Sequence, residues 1–135
     1  MKYYGHLLIV LLLVVSFMSC GKKSESQKAG DYTTLAEQFV KILVNEEYEK
    51  AVQSFDKTME STLPADKLEI AWQNLITQVG HYKRQLGVRQ TKEQGYDIVF
   101  VSCEFEINNA DIKIVFNNAK EIAGLWFVPP IEYKP

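Results

Sequence analysis

The feature that most constrains the fold is a change in the spacing of apolar residues at Gly80. Before Gly80, apolar residues recur every three or four positions, which is the spacing of amphipathic helices. After Gly80, apolar and polar residues alternate in short runs, which is typical of strands. The sequence therefore predicts a helical part followed by a sheet.

Three helices are predicted before this change. The first covers Tyr32–Asn45, with Asp31 as its N-cap, because an Asp carboxylate can accept a hydrogen bond from a first-turn amide. The second covers about Glu46–Phe55, and residues 58–62 are predicted to form a loop. The third covers residues 64–79, with proline at its start, where the missing N–H costs nothing.

Four strands are predicted after the change, at residues 82–89, 96–107, 112–116 and 122–128. Short turns separate them, and strands joined by such turns pair antiparallel. The predicted fold class is therefore α+β, with three N-terminal helices packed on a curved four-stranded antiparallel meander sheet.

Residues 96–105 and 122–128 carry apolar side chains on both faces of their strands. The helices can cover one face only, whereas an antiparallel sheet with a solvated second face should alternate cleanly. A homodimer through the sheet would cover the second face. In the alternative interpretation, strong curvature buries both faces near the middle of the sheet.

The N-terminal segment differs in kind from the rest of the chain. Lys2 precedes an apolar run at residues 7–15, about half of the ~20 residues that a membrane-spanning helix needs. Cys20 follows Ser19 where this run stops, and the segment resembles the lipobox of bacterial lipoproteins. We therefore expect a signal peptide, residues 1–19, and export with lipid attachment to Cys20 at a bacterial membrane of the cell envelope. In the alternative interpretation the segment stays uncleaved as a membrane anchor.

The remaining organisation follows from length and composition. Residues 20–30 contain the lipid anchor and a polar, aperiodic stretch that predicts a flexible tether. One domain, residues 31–130, fits the length, and residues 131–135 form a C-terminal tail.

Charge and composition exclude several classes of partner and cofactor. Without residues 1–19, which hold Lys2 and no acid, the chain has 14 basic and 17 acidic residues, a net charge of about −3. No basic stripe with interleaved aromatic residues occurs, so nucleic acid is not an expected partner. His81 is the only histidine after the signal segment, and Cys103 is expected to be buried, so neither a metal site nor a cofactor is predicted. The short catalytic motifs G-x-S-x-G and H-E-x-x-H are absent.

Three stretches carry a family resemblance: AEQFVKILVNEEYEKAVQSFD, LPADKLEIAWQNLITQVGHY and GYDIVFVSCEFEINNADIKIVFNNAKEIAGLWFVPP. Over about residues 31–130 the chain resembles domain of unknown function 3887, a bacterial and archaeal family in the nuclear-transport-factor-2-like (NTF2-like, cystatin-like) superfamily. The resemblance implies an NTF2-like cone with a pocket at its open end. Some members precede an α/β-hydrolase domain, but the matching motifs are packing and turn positions and imply no activity.

The resemblance also suggests where a site could lie. Enzymes of the wider superfamily use a carboxylate beside an apolar pocket as a proton-transfer base, with a pKa raised by desolvation. Acids that could point into a cone are Asp56, Asp97, Glu104 and Asp111. The candidate pocket residues are Trp72, His81, Tyr82, Tyr96, Glu104 and Trp126. The sequence does not choose which face of the strand at 96–105 lines the cavity.

Two functional hypotheses follow. The first is a non-enzymatic, lipid-anchored envelope domain that binds a partner protein or a small ligand. The alternative is a small isomerase-like or dehydratase-like enzyme that uses a pocket carboxylate, Glu104 or Asp56, as its base.

Overall fold

The computed structural model describes residues 26–129 of the chain, and side chains from Asp31 onward. The predicted signal segment, Cys20, the first part of the tether and the tail at 131–135 lie outside the described residues. The elements are α1 (Ser26–Val44), α2 (Tyr48–Ala51), α3 (Lys57–Thr62), α4 (Ala65–Val79), β1 (Tyr82–Glu93), β2 (Tyr96–Phe105), β3 (Asn109–Phe116) and β4 (Ile122–Val128). Within this part of the chain, no helix is both long and apolar enough to cross a membrane.

The four strands form one antiparallel sheet in the order β1-β2-β3-β4. The predicted α+β class and the antiparallel meander are therefore confirmed. β1 continues to Glu93 rather than ending at Arg89, and a two-residue turn then leads into β2. Both turn residues, Gln94 and Gly95, have positive φ (50° and 84°), which suits the right-handed twist of a hairpin.

The helices cover one face of the sheet, which we call the core face. On β2 it carries the buried Val99, Val101, Cys103 and Phe105, because alternate residues of a strand point to the same side. Trp72 of α4 packs its ring against Phe105, with 6.1 Å between ring centroids. The opposite side of the sheet, the outer face, carries the even-numbered residues of β2.

The first helix begins earlier than predicted. α1 starts at Ser26, so the second half of the predicted tether is helical and Asp31 is not an N-cap. The only glycine in this segment, Gly30, lies inside the helix, where glycine costs about 1 kcal/mol relative to alanine and does not end a helix by itself. Asp31 instead forms an ion pair with Lys120.

The predicted loop at 58–62 is wrong, because this segment forms most of α3. Asp56 provides the N-cap, since its carboxylate Oδ1 accepts a hydrogen bond from the Met59 amide at 2.8 Å. Further along, the hydroxyl groups of Ser61 and Thr62 donate to backbone carbonyls one turn earlier, at 2.9 and 2.8 Å. The described region therefore contains four α-helices rather than three, and the short polar helix was missed because it has no apolar periodicity.

Candidate functional site

The six predicted pocket residues do not form one pocket. Trp72 lies in the core between α4 and the sheet, whereas Tyr96, Glu104 and Trp126 lie on the outer face. The strand register explains the division, because Glu104 is opposite Arg84 and Trp126 is opposite Lys113, both on the side away from the helices. The structure therefore places these residues on two different sides of the sheet.

The interior beside Trp72 is filled by aromatic rings. Trp72 is 2 % exposed and contacts the ring of Phe127, with 5.8 Å between centroids, in addition to Phe105. Tyr82 packs edge-on against Phe105 at 5.9 Å and is partly buried. This packing assigns Trp72 and Tyr82 to the core rather than to the wall of a cavity.

Glu104, the leading candidate base, is held in ion pairs. Its carboxylate oxygens lie 2.5 Å from Arg84 Nε and 3.3 Å from Lys83 Nζ. The hydrogen bonds from Arg84 and then Lys83 hold the pKa of Glu104 below its ordinary value. The proton-transfer hypothesis requires the opposite shift, so Glu104 does not meet it.

Two of the other three candidate acids, Asp97 and Asp111, are buried, whereas Asp56 is a helix cap. Asp56 caps α3, as described above. On the core face, Asp97 accepts a hydrogen bond from the Gln90 side chain at 3.0 Å and lies 3.7 Å from Lys92 Nζ. Asp111 is 3 % exposed, and its charge adds to the effect of burial in raising the pKa of the Cys103 thiol to about 12. None of these acids is among the residues that line the two surface depressions described below.

His81 is exposed next to the helix-ending Gly80. Its backbone N–H donates to Glu106 Oε2 at 3.0 Å, and its carbonyl accepts from the Glu106 amide at 3.0 Å. These bonds tie the start of β1 to the turn after β2. Between Ser26 and Pro129, no group of three or more His, Cys, Asp or Glu side chains is arranged to hold a metal ion.

One row of side chains crosses all four strands on the outer face. It consists of Arg89, Phe100, Lys113 and Trp126, which are successive partners in the strand register, and we call it the cation–aromatic row. Arg89 Cζ lies 4.3 Å from the centroid of the Phe100 ring, and Lys113 Nζ lies 5.8 and 5.3 Å from the rings of Phe100 and Trp126. Cations at these distances from a ring face are attracted by its quadrupole.

The ring of Trp126 lies over the backbone of Gly124, its neighbour on the outer face. A Cβ atom built on Gly124 would come within 2.4 Å of the indole, so the ring occupies the space above the glycine backbone. A ring that covers a strand glycine is a known way to order an edge strand. Trp126 nevertheless remains 51 % exposed, and Tyr96 on the same face is 44 % exposed.

Two surface depressions of similar size differ in charge. The first, about 440 Å³, lies between the α1–α2 turn and the start of α4, and five of its eight lining residues are acidic: Glu46, Glu47, Glu49, Asp66 and Glu69. The second, about 390 Å³, lies between the last turns of α4, the start of β3 and the end of β4, and none of the described residues that line it is charged. We call the second one the neutral groove.

Residues 36–125 match the family described as Protein of unknown function (DUF3887). The chain belongs to this family. No curated protein and no solved structure matches it.

Sequence reasoning separated the two faces of β2 but did not place the cationic side chains beside the outer one. Arg89 and Lys113 were missed, because only the strand register places them beside Phe100 and Trp126. Period-two alternation already assigned Phe100 and Glu104 to one face, so a correct register for β1 and β3 would have predicted the row.

Proposed function

We propose that this member of the family is a non-enzymatic binding domain, held at the outside of a bacterial membrane by lipid on Cys20, that binds a protein partner through the outer face of its sheet. Within the α+β class, we propose that the fold is the NTF2-like cone. The succession of helices followed by an antiparallel meander is consistent with that cone.

The observation that carries the proposal is the cation–aromatic row. Binding sites for proteins are enriched in exposed aromatic residues and arginine, which bury a large area for a small loss of conformational freedom. Within the described residues, neither Arg89 nor Lys113 forms an ion pair with a carboxylate, so both charges are available to a partner. The expected partner surface is therefore acidic.

The state of the candidate acids supports a role without catalysis. Glu104 forms ion pairs with Arg84 and Lys83, which lower its pKa. The carboxylate of Asp56 caps α3. Glu104 and Asp56, the two bases named in the alternative hypothesis of a small isomerase or dehydratase, therefore both have structural roles instead.

The binding proposal is tested by site-specific photocrosslinking of the full chain in cells. We place benzoylphenylalanine at position 126 and, as a matched control, at position 70, because Ile70 is also apolar and exposed but lies on α4. Position 126 should give a discrete crosslinked product that disappears in the double variant Arg89→Glu, Lys113→Glu, and position 70 should not give it. The same products from both positions, or a product that survives the charge reversal, would contradict the proposal.

The anchor is tested separately by the variant Cys20→Ala. We expect the native chain to begin at a lipidated Cys20 and to partition into the detergent phase of a cloud-point separation. The variant should keep residues 1–19 and carry no lipid. An unmodified Cys20 thiol in the mass spectrum of the native chain would rule the anchor out without affecting the binding proposal.

A second copy of the chain is the second candidate partner for the outer face. It is favoured by the exposure of Tyr96 and Trp126, which two-fold packing of the same face would cover. It is disfavoured by the row itself, since two copies would bring Arg89 and Lys113 toward the same residues of the other copy. Native mass spectrometry of the full chain decides: a dimer that Trp126→Ser converts to a monomer supports it, and a monomeric wild type excludes it.

A further inference from the structure

We infer that the neutral groove is a second binding site, separate from the outer face, and that it takes an uncharged peptide segment with an apolar side chain. The proposed binding through the outer face does not involve this groove. Its volume of about 390 Å³ falls within the range of about 300–1,000 Å³ that is typical of ligand sites.

The apolar walls of the groove are supported by the core. Leu75 and Ala110, from α4 and β3, are buried, and Phe127 from β4 packs against the ring of Trp72. Val79 completes the apolar lining near the end of α4. Since these side chains sit on a helix and two strands, the walls exist before a ligand arrives, which lowers the entropic cost of binding.

Three side-chain amides line the same groove. They belong to Gln78 on α4, Asn108 in the turn before β3, and Asn109 at the start of β3. Over residues 31–129, none of these side chains is hydrogen bonded to another group of the protein. A primary amide both donates and accepts, so it can pair with the N–H and the C=O of a peptide group.

The described lining residues are uncharged, and we infer from this that the ligand is uncharged as well. Among the described residues, no Asp, Glu, Lys or Arg lines the groove, in contrast to the five acids of the depression at the other end of α4. A charged ligand would lose water without gaining an opposite charge, whereas a peptide group would regain its hydrogen bonds from the amides. An apolar side chain would occupy the space beside Leu75 and Phe127.

The probe for this site is N-acetyl-leucinamide, which has two peptide-like groups and one apolar side chain. N-acetyl-leucine is its matched control, since it has nearly the same shape but carries a carboxylate. We would measure saturation-transfer NMR from the full chain in lipid nanodiscs, with empty nanodiscs as the blank. We expect the amide to bind with a dissociation constant in the millimolar range, as suits a ligand of about twelve heavy atoms, and the acid to bind at least about fivefold more weakly.

Variants then locate the site. Gln78→Glu places a charge in the groove and removes a donor, and it should weaken binding of the amide by about fivefold. Asn74→Asp is the matched control, because Asn74 is exposed on the same helix but does not line the groove. Lys113→Ala should leave probe binding unchanged, so failure of this proposal and failure of the outer-face proposal are distinguishable.

Three outcomes would overturn the inference. Equal binding of the amide and the acid would show that the groove does not select against charge. Equal loss in Gln78→Glu and Asn74→Asp would place the binding elsewhere. Tighter binding by a variant that ends at Pro129 would show that residues 130–135 of the chain itself compete for the groove.

Discussion

The same four strands form the core face and the outer face of the sheet, but the helices cover only the core face. On the core face of β2, Val101 and Cys103 are fully buried beneath the helices. On the outer face of the same strand, Phe100 and Glu104 are only partly buried, and both contact cationic side chains. One strand therefore supplies both the structural core and the surface available for binding, because its successive side chains point to opposite sides.

The two tryptophans show the same difference at single positions. Trp72 is 2 % exposed and contacts two other aromatic rings, whereas Trp126 is 51 % exposed and lies over a glycine beside Lys113. Trp72 can contribute to stability through the area that it buries. Trp126 retains a surface that a partner could still bury, so its contribution to binding should exceed its contribution to stability.

Substitution of the two tryptophans should give the largest contrast. We expect Trp72→Ala to lower the free energy of unfolding by about 3–5 kcal/mol, because it leaves a large cavity in the core. Trp126→Ala should lower it by less than about 1 kcal/mol, as is usual for surface positions. Urea denaturation of both variants measures this, and losses of equal size would mean that the two faces do not differ in their contribution to stability.

The core face should also give the protein a distinctive response to alkali. The folded pKa of Cys103, about 12, is above its ordinary value of 9.0, so between these pH values the unfolded chain loses the thiol proton while the folded chain keeps it. The stability that the protonated thiol contributes is fully present below pH 9. It is lost as the pH rises toward 12, by up to about 1.4 kcal/mol per pH unit. Urea denaturation between pH 8 and 10 should show a steeper decline for the wild type than for Cys103→Ala, and parallel declines would refute the expectation.

A smaller effect on stability is expected on the outer face at Gly124, the glycine beneath Trp126. Gly124→Ala should push the indole away from the sheet, so iodide should quench the Trp126 fluorescence more strongly, while the free energy of unfolding changes by about 1 kcal/mol or less. Gly87→Ala is the matched control, since a Cβ there meets nothing within 4 Å. Identical quenching in the two variants would indicate that Gly124 does not position the ring.

The smallest effect is expected for the ion pairs of Glu104. Because Arg84 and Lys83 lower its pKa, the pairs stabilise the fold above the ordinary pKa of a glutamate, and this contribution is lost as the pH falls through the lowered value. Glu104→Gln should therefore be slightly less stable than the wild type at pH 7 and equally stable near pH 2. Thermal denaturation at both pH values and at high salt, which screens exposed pairs, checks this. A larger difference at pH 2 than at pH 7 would reverse the assigned sign.

Local patterns predicted most of the fold. The change of spacing at Gly80, the amphipathic stretch that became α4 and the turn-separated strands each depend on residues close in the chain, so they could be recognised without a structure. α3 was missed because its stability depends on the Asp56 cap and on hydroxyl groups rather than on an apolar stripe. A polar segment of six residues gives no periodic signal of this kind.

The sequence by itself thus determined the α+β class, the order of helices and strands, and the alternation that divides β2 into two faces. Only the tertiary structure decided which of these faces the helices cover, and with it the separation of Trp72 from Trp126 and the pairing of Glu104 with Arg84. It also decided the cation–aromatic row and the neutral groove, whose members come from distant parts of the chain. The physical reason is that periodicity records which residues share a side of one element, whereas register and packing bring different elements together.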